Sequence, residues 1–458
     1  MMPADRTRLP GLGPEPTFTF PEIRRRTLDN GLRVSTVEHR EVPIVSVLAL
    51  IPAGAAADPP GRHGLAAITS DLLDEGCGDL DALAFHDALA RIGAQLDTEV
   101  GADATLLGVT VLERFAPRAL ELLSAALMHP RLESHEFDRV RDLRLNRLLQ
   151  LREVPPAIAE RAFARLVYGE HPYGHLAIGS ETSLRAMGIG DVHRFHRAAY
   201  DPAQITIVAV GDATHDRLAD LVEGALGAWN PGVGQPATAL PAGATTVTSG
   251  GSKRVAMIHR PGAAQSELRM GHVSVARSTP DYHALLVLNL ILGGQFVSRL
   301  NLNLREDKGY TYGARTSFDF RRGPGPFVLQ ASVQSDATAS AIHESLQELG
   351  DIRGERPVTS QELKLGRAGL TRGYPRNFET ADQMARAAAQ LALYDLPDDY
   401  FTTFVPRVLA LAESDITEAA RRHIDPSRLV TVVVGDRDKA GDLAGAGAGE
   451  LTEVQVDG

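Results

Sequence analysis

The chain has 458 residues, of which 43% are apolar and 23% charged, a globular composition with material for more than one core. Its 47 Lys and Arg stand against 58 Asp and Glu, a formal net charge of −11, so general attraction to nucleic acid or anionic lipid would work against the protein's own field. A single cysteine, Cys77, excludes an intrachain disulfide framework and any cysteine-rich zinc or iron–sulfur site.

The first residues contain no apolar run of signal-peptide type, and no later stretch reaches the ~20 apolar residues of a membrane span. The expectation is a cytoplasmic protein with neither nucleic acid nor membrane as partner. Lysine occurs only at Lys253, Lys308, Lys364 and Lys439, and Ala and Gly are abundant, which suggests a GC-rich bacterial genome.

Residues 1–20, rich in Pro and Gly, read as a flexible N-terminus. The stretches 31–37 and 44–51 read as strands, the second apolar enough to lie inside a sheet. Leu65, Ile68 and Leu72 then recur at helical spacing before Gly76, a good helix stop. Pro117 opens a second helix carrying Leu120, Leu123 and Leu127. Ser134 is placed to cap a third, with Phe137, Val140 and Leu148 facing inward. Further along, Asp191-Val192 through Tyr200-Asp201-Pro202 to Val208-Ala209-Val210-Gly211-Asp212 recurs as Asp415-Ile416 through Ile424-Asp425-Pro426 to Val432-Val433-Val434-Gly435-Asp436, always at an offset of 224 residues. A constant offset through a helix-like stretch, an Asp-Pro turn and an apolar strand identifies two homologous halves. The expected organisation is an N-terminal domain over 21–229, a Gly/Pro/Ala/Thr-rich linker over 230–252, a C-terminal domain over 253–440 and a flexible tail over 441–458. The fold class is α+β, two homologous two-layer α/β sandwiches in tandem, each a mixed, largely antiparallel sheet with helices on one face.

Two segments carry the chemistry. The first, Gly61-Arg62-His63-Gly64-Leu65-Ala66-Ala67, sits where insulinase-like (pitrilysin) zinc peptidases carry the inverted motif His-x-x-Glu-His, and the chain resembles that family. In the motif two imidazoles at i and i+4 hold zinc and the glutamate activates its water. Here the resemblance places only His63 at a ligand position. Ala66 falls at the base and Ala67 at the second ligand. The family's third ligand, a glutamate, lies two turns beyond another acidic residue on a later helix, and those positions fall on Val140 and Arg147. One histidine cannot replace three or four ligands, and a guanidinium ~4 Å from a dication would repel it by roughly 8 kcal/mol at an effective dielectric of about 20. No metal is therefore expected in this chain. His63 reads as a pocket-filling or backbone-bonding histidine. His171 and His175 resemble the family's structural His-Pro-Tyr-Gly loop, and His193 and His196 stand at i, i+3 without a third ligand.

The second segment, Leu292-Gly293-Gly294 through Ser298-Arg299-Leu300 and Leu304-Arg305-Glu306-Asp307-Lys308-Gly309-Tyr310-Thr311-Tyr312-Gly313, resembles the part of the family that carries an Arg/Tyr pair seven residues apart. Arg305 and Tyr312 have that spacing. A guanidinium fork suits a substrate carbonyl or carboxylate, and a phenol can donate to the oxyanion formed as a peptide carbon becomes tetrahedral. The competing reading pairs Arg305 with Glu306 or Asp307 and packs Tyr312 on the core. Gly293-Gly294 is expected to make a turn between helix and strand.

The resemblance covers roughly residues 20 to 440 and is similar to the short two-domain branch that includes mitochondrial processing peptidase. It implies a non-catalytic subunit that closes a chamber, binds unfolded peptide and lends Arg305 and Tyr312 to a zinc centre in an active partner chain. The alternative is a homodimeric pseudo-peptidase that binds peptides or scaffolds a complex.

Overall fold

A computed structural model describes residues 18–230 and 253–455. The N-terminal half contains β1 (Ile23–Thr27), β2 (Arg33–Glu38), β3 (Ile44–Ile51), the short pair β4 (Gly76–Cys77) and β5 (Leu80–Asp81), β6 (Leu96–Val100), β7 (Thr105–Leu112) and β8 (Thr206–Gly211). The C-terminal half contains β9 (Arg254–His259), β10 (Gln265–Val273), β11 (Thr311–Phe318), β12 (Pro326–Gln334), β13 (Val430–Gly435) and β14 (Glu450–Glu453). The first sheet runs β1-β2-β8-β3-β7-β6 and the second β14-β9-β13-β10-β12-β11. Both contain a parallel pair at the same place, β2/β8 and β9/β13, with antiparallel strands continuing from β8 and from β13. The repeat seen in the sequence is a helix and strand late in each half, Ile189–Ala199 with β8 and Glu413–His423 with β13, since β8 and β13 occupy the same place in their sheets.

The sixth strand breaks the symmetry. β1 pairs antiparallel with β2 from the start of its half, whereas β14 pairs parallel with β9 from the end of the other. Residues 450–453, expected in a flexible tail, therefore complete the second sheet. A few apolar side chains suffice to anchor this end of the chain, because Ala440, Leu443, Ala446 and Ala448 are buried in the C-terminal core. The expected flexible N-terminus also ends early. Phe18 stacks on Phe378 at 4.6 Å and Phe20 lies 5.0 Å from Phe401. Residues 1–17 and most of the expected linker, 231–252, lie outside the described residues.

The N-terminal helices are α1 (Leu65–Asp71), α2 (Ala82–Arg91), α3 (Ala116–Met128), α4 (Ser134–Leu151), α5 (Pro155–Tyr168), α6 (Glu181–Ala186), α7 (Ile189–Ala199) and α8 (His215–Leu226). The C-terminal ones are α9 (Tyr282–Asn289), α10 (Thr338–Asp351), α11 (Ser360–Thr371), α12 (Ala381–Tyr394), α13 (Tyr400–Ala410) and α14 (Glu413–His423). Leu120, Leu123, Leu127, Phe137, Val140 and Leu148 are buried as their spacing predicts. Ser134 is the first residue of α4 rather than its cap, which falls on Glu133 without a side-chain bond.

Each half's own helices cover one face of its sheet. The other face is covered by a helix lent by the opposite half. Successive residues of a strand face opposite sides, and β13 divides accordingly. Val432 and Val434 pack with Ile158, Ala159, Phe163 and Val167 of α5, while Val433 joins the C-terminal core. On β8, Val208 and Val210 share a cluster with Ala385, Ala388 and Leu391 of α12, while Ile207 and Ala209 belong to the N-terminal core. Central strands buried on both faces need apolar side chains at every position, which is why they read as unbroken apolar runs. Gly271 of β10 leaves room for this exchange, since a Cβ there would lie 2.8 Å from the Phe163 ring.

Phe163→Ala is expected to cost about 3–5 kcal/mol, the range for emptying a buried aromatic site. Because α5 ties the halves together, the fluorescence of buried Trp229 in the N-terminal half and the far-UV circular dichroism should shift to lower urea together. A Trp229 transition that stays at the wild-type midpoint would show the halves to be uncoupled.

Candidate functional site

The segment before α1 is organised by one carboxylate. Asp58, whose side chain is fully buried, accepts the backbone N–H of Gly64 at 2.6 Å and of Ala66 at 2.7 Å, satisfying donors that the first turn of a helix leaves free. His175 Nε2 lies 3.1 Å from the same carboxylate and 2.9 Å from the Ala55 carbonyl. The His63 ring stacks on His175 at 4.0 Å and 11°. Burial, with His175 beside it, lowers the His63 pKa from its ordinary value. His63 thus fills a pocket, but it does not stand on the helix. It precedes Gly64, whose φ of +97° places the chain in the left-handed region just before α1. His63 and Ala67 therefore do not share a helical face, as the expected register requires. Ala66 and Ala67 are buried, Ala66 within the N-terminal core.

On α1, Asp71 meets α4, accepting from Arg144 at 2.7 Å. Val140, Arg144 and Arg147 line a groove with Asp71, Asp74 and Glu75. Arg147 is exposed, and its Nη1 donates to Gln150 on its own helix at 3.3 Å. Val140 is buried. Thus Val140 and Arg147 share a groove with α1, but with Asp71 rather than His63. His63 lies ahead of α1, whose inward face is set by Leu65, Ile68 and Leu72. Burial pushes the Asp74 carboxyl up to about 6.

Of the other histidines picked out by the sequence, His171 and His196 bond to backbone groups. His171 Nδ1 accepts from the Tyr173 N–H at 3.1 Å, and the Tyr173 hydroxyl donates to Asp103 at 2.5 Å while accepting from the Gly323 N–H of the C-terminal half at 3.0 Å. His196 Nε2 lies 3.0 Å from the Leu127 carbonyl, its ring stacks on Tyr200, and burial pushes its pKa down to about 4. His193, one turn earlier on α7, is half-buried.

In the C-terminal half, α9 passes into a wide helical turn at Leu290–Gly294, and a second wide turn, Asn301–Asp307, carries Arg305. The Gly293-Gly294 pair is not a turn into a strand. A Cβ on Gly293 would lie 2.7 Å from the backbone N of Thr316, so glycine lets the end of this helix close on β11. Arg305 Cζ lies 3.8 Å above the Phe296 ring, and its Nε is 3.6 Å from Glu306, so the competing ion pair is loose. Tyr312 is 91% exposed on β11, the outer strand of its sheet. It does not pack on the core. The ladder with β12 is irregular between Thr311 and Ala314, at Tyr312 itself, and such bulges redirect a side chain. Phe296, Val297 and Leu302, on the same stretch of chain, are also exposed. Sequence reasoning missed Asn301. Buried, it accepts the Ala314 N–H at 2.8 Å and donates to Ala314 O, Gln295 O and Ser298 Oγ, linking the Arg305 segment to the strand of Tyr312.

Comparison with known proteins bears on this arrangement. Residues 33–179 match the profile described as Insulinase (Peptidase family M16), and residues 187–370 match that described as Peptidase M16 inactive domain. The chain belongs to the M16, or insulinase, peptidase family. An uncharacterized zinc protease of Mycobacterium tuberculosis is 26% identical over 378 residues, covering 78% of this chain and 85% of that protein. A mitochondrial-processing peptidase beta subunit of Lentinula edodes is 25% identical over 289 residues, 60% of this chain and 58% of that one. Among solved structures, the M16 inactive domain protein from Pseudomonas fluorescens superposes with a TM-score of 0.83 at 22% identity, covering 91% of this chain and 98% of that chain. A Helicobacter pylori protease gives the same TM-score at 21% identity, with 90% and 99% covered.

The family implies zinc, and the donor set at α1 and α4 does not fit it. Asp71 is engaged by Arg144, Arg147 lines the same groove, and Ala67 is apolar. Among the described residues, no three His, Cys, Asp or Glu side chains gather where they could hold one metal ion. This M16 member lacks the inverted zinc motif.

An Ala66→Glu, Ala67→His variant is expected to lose about 3 kcal/mol or more, because both sites are buried in the apolar interior, and to bind no zinc. Stoichiometric zinc by atomic emission would contradict this geometry. His196 also sets a pH dependence. Its folded pKa of about 4 lies below the ordinary 6.5, so its contribution to stability is complete above 6.5 and declines as pH falls. Urea titrations should show His196→Gln losing about 2 kcal/mol less than wild type between pH 7.5 and 4.5; equal losses would contradict the assignment.

Proposed function

We propose that this chain is the non-catalytic, substrate-binding subunit of a two-chain M16 zinc metallopeptidase, acting in the cytoplasm. The observation that carries the reading is a tyrosine of peptidase type, Tyr312, 91% exposed on an edge strand, with a half-buried arginine seven residues before it, Arg305, laid over Phe296. A tyrosine so placed gains nothing for its own fold. Arg305, a planar fork of donors, holds a carbonyl or carboxylate of the peptide. The Tyr312 hydroxyl donates to the oxyanion as the scissile carbon becomes tetrahedral. Zinc and its activated water belong to the partner, since α1 and α4 of this chain lack fitting donors. Relatives named as mitochondrial-processing peptidase beta subunits support a paired assembly. Unfolded peptide is held by main-chain pairing to a sheet edge, which tolerates varied sequence. Both β11 and β6 are outer strands.

Purified alone, the protein is expected to contain substoichiometric zinc and to cleave no peptide. One zinc per chain with chelator-sensitive cleavage overturns the reading. Paired with its zinc-bearing partner, Tyr312→Phe should lower turnover by roughly 10- to 1000-fold, the range for one oxyanion donor, with assembly by mass photometry unchanged. Unchanged turnover makes Tyr312 structural, and a zinc-free homodimer from the native source would favour a peptide-binding or scaffolding pseudo-peptidase.

A further inference from the structure

A cavity of about 530 Å³ lies between the halves, walled by α5, the loop from His171 to Ser180, Ile258 of β9 and the chain just after β14. Its volume suits a small-molecule ligand, and neither Arg305 nor Tyr312 lines it. Arg161 and Arg165 stand one turn apart on α5 and both line it, a spacing at which like charges disfavour one another. Arg161 Nε is buried with no hydrogen-bond partner among the described residues. The charge acting on it is a like one, Arg152, which is itself engaged by Glu181 at 2.6 Å. Among the described lining residues Glu170 is the only carboxylate, and it also lines the adjoining cleft beside His63 and His171, where Arg161 does not reach. A cation half withdrawn from water without an anion is costly. The rest of the wall is largely apolar, with Ile158, Leu166, Leu176, Ile258 and Val454.

We propose that this cavity binds a small amphipathic carboxylate, its head on the Arg161 guanidinium and its apolar body against Ile158, Leu166 and Ile258. The site is separate from the peptide-handling segment and stands or falls without it.

Isothermal titration of the full chain with octanoate and with octan-1-ol separates head from body. Octanoate should bind wild type and bind Arg161→Gln at least ~10-fold more weakly, equivalent to about 1.4 kcal/mol. Octanol, with the same body and no charge, should bind both proteins equally and weakly. Arg161→Lys keeps the charge but loses the fork, and its affinity should fall between the two. Without ligand, Arg161→Gln should melt no lower than wild type, because it removes a cation that has no partner among the described residues. Equal octanoate binding by wild type and Arg161→Gln overturns the proposal, as does octanol binding as tight as octanoate. So does an absence of octanoate binding at about 10 mM, where a millimolar ligand is near saturation. An Arg161→Gln protein that melts well below wild type overturns the assignment of a cation without a partner among the described residues.

Discussion

The fold depends on the exchange of α5 and α12 between the halves. A sheet with helices on one face leaves its other face to water, and a central strand such as β13, Val-Thr-Val-Val-Val-Gly, cannot tolerate that. Each half solves this by laying a helix on the other's sheet, so neither has a complete core alone. Clusters that include both β8 and α12, or both β13 and α5, are the physical form of this dependence. Contacts between the His171–Gly174 loop and Gly323 reinforce it, with the Tyr173 hydroxyl bridging Asp103 and the opposite half. The spatial relation between α1 in one half and the Arg305 segment in the other is fixed as a result.

Within that frame the Arg305 segment is unusually well anchored for one that ends in an exposed tyrosine. Wide helical turns are rare and often functional, and this segment has two. Glycine at 293 and a buried amide at 301 hold them against β11, one by removing a side chain and the other by satisfying backbone groups that an irregular strand would leave unpaired. Order is thus invested where Phe296, Leu302 and Tyr312 face solvent.

Much of this was legible in the sequence. The apolar runs at 44–51 and 208–210, the leucines of α3 and the 224-residue repeat come from local rules of periodicity and burial, and they place the halves and their layers. The exchange of helices was not legible, because amphipathic spacing tells which face of α5 is buried but not against which sheet. The same limit applied to β14. Its four residues pair in parallel with β9 at the far end of the half, a non-local choice that Gly/Ala-rich composition hides. For the site, Arg305 and Tyr312, Val140 and Arg147 were named through the family resemblance rather than from local rules. That His63 stands ahead of the helix was not legible, because the break is a left-handed backbone at Gly64, whereas the spacing of Leu65, Ile68 and Leu72 gives only the inward face of α1.

The loss of the zinc donors raises a question of stability, since a metal ties together the elements that ligate it. Here α1 and α4 are joined otherwise. Arg144 pairs with Asp71, but Asp71 is 41% exposed, so the pair contributes about 1 kcal/mol or less. The greater part comes from apolar packing, with Leu65, Ala66, Ile68 and Leu72 sharing one core with Phe137, Val140 and Leu148. At about 1.5–3 kcal/mol for each large side chain fully buried, those contacts outweigh the ion pair several times over. The start of α1 is secured independently, by Asp58 and the His175 that bonds it. A fold so supported has no need of a metal at this position.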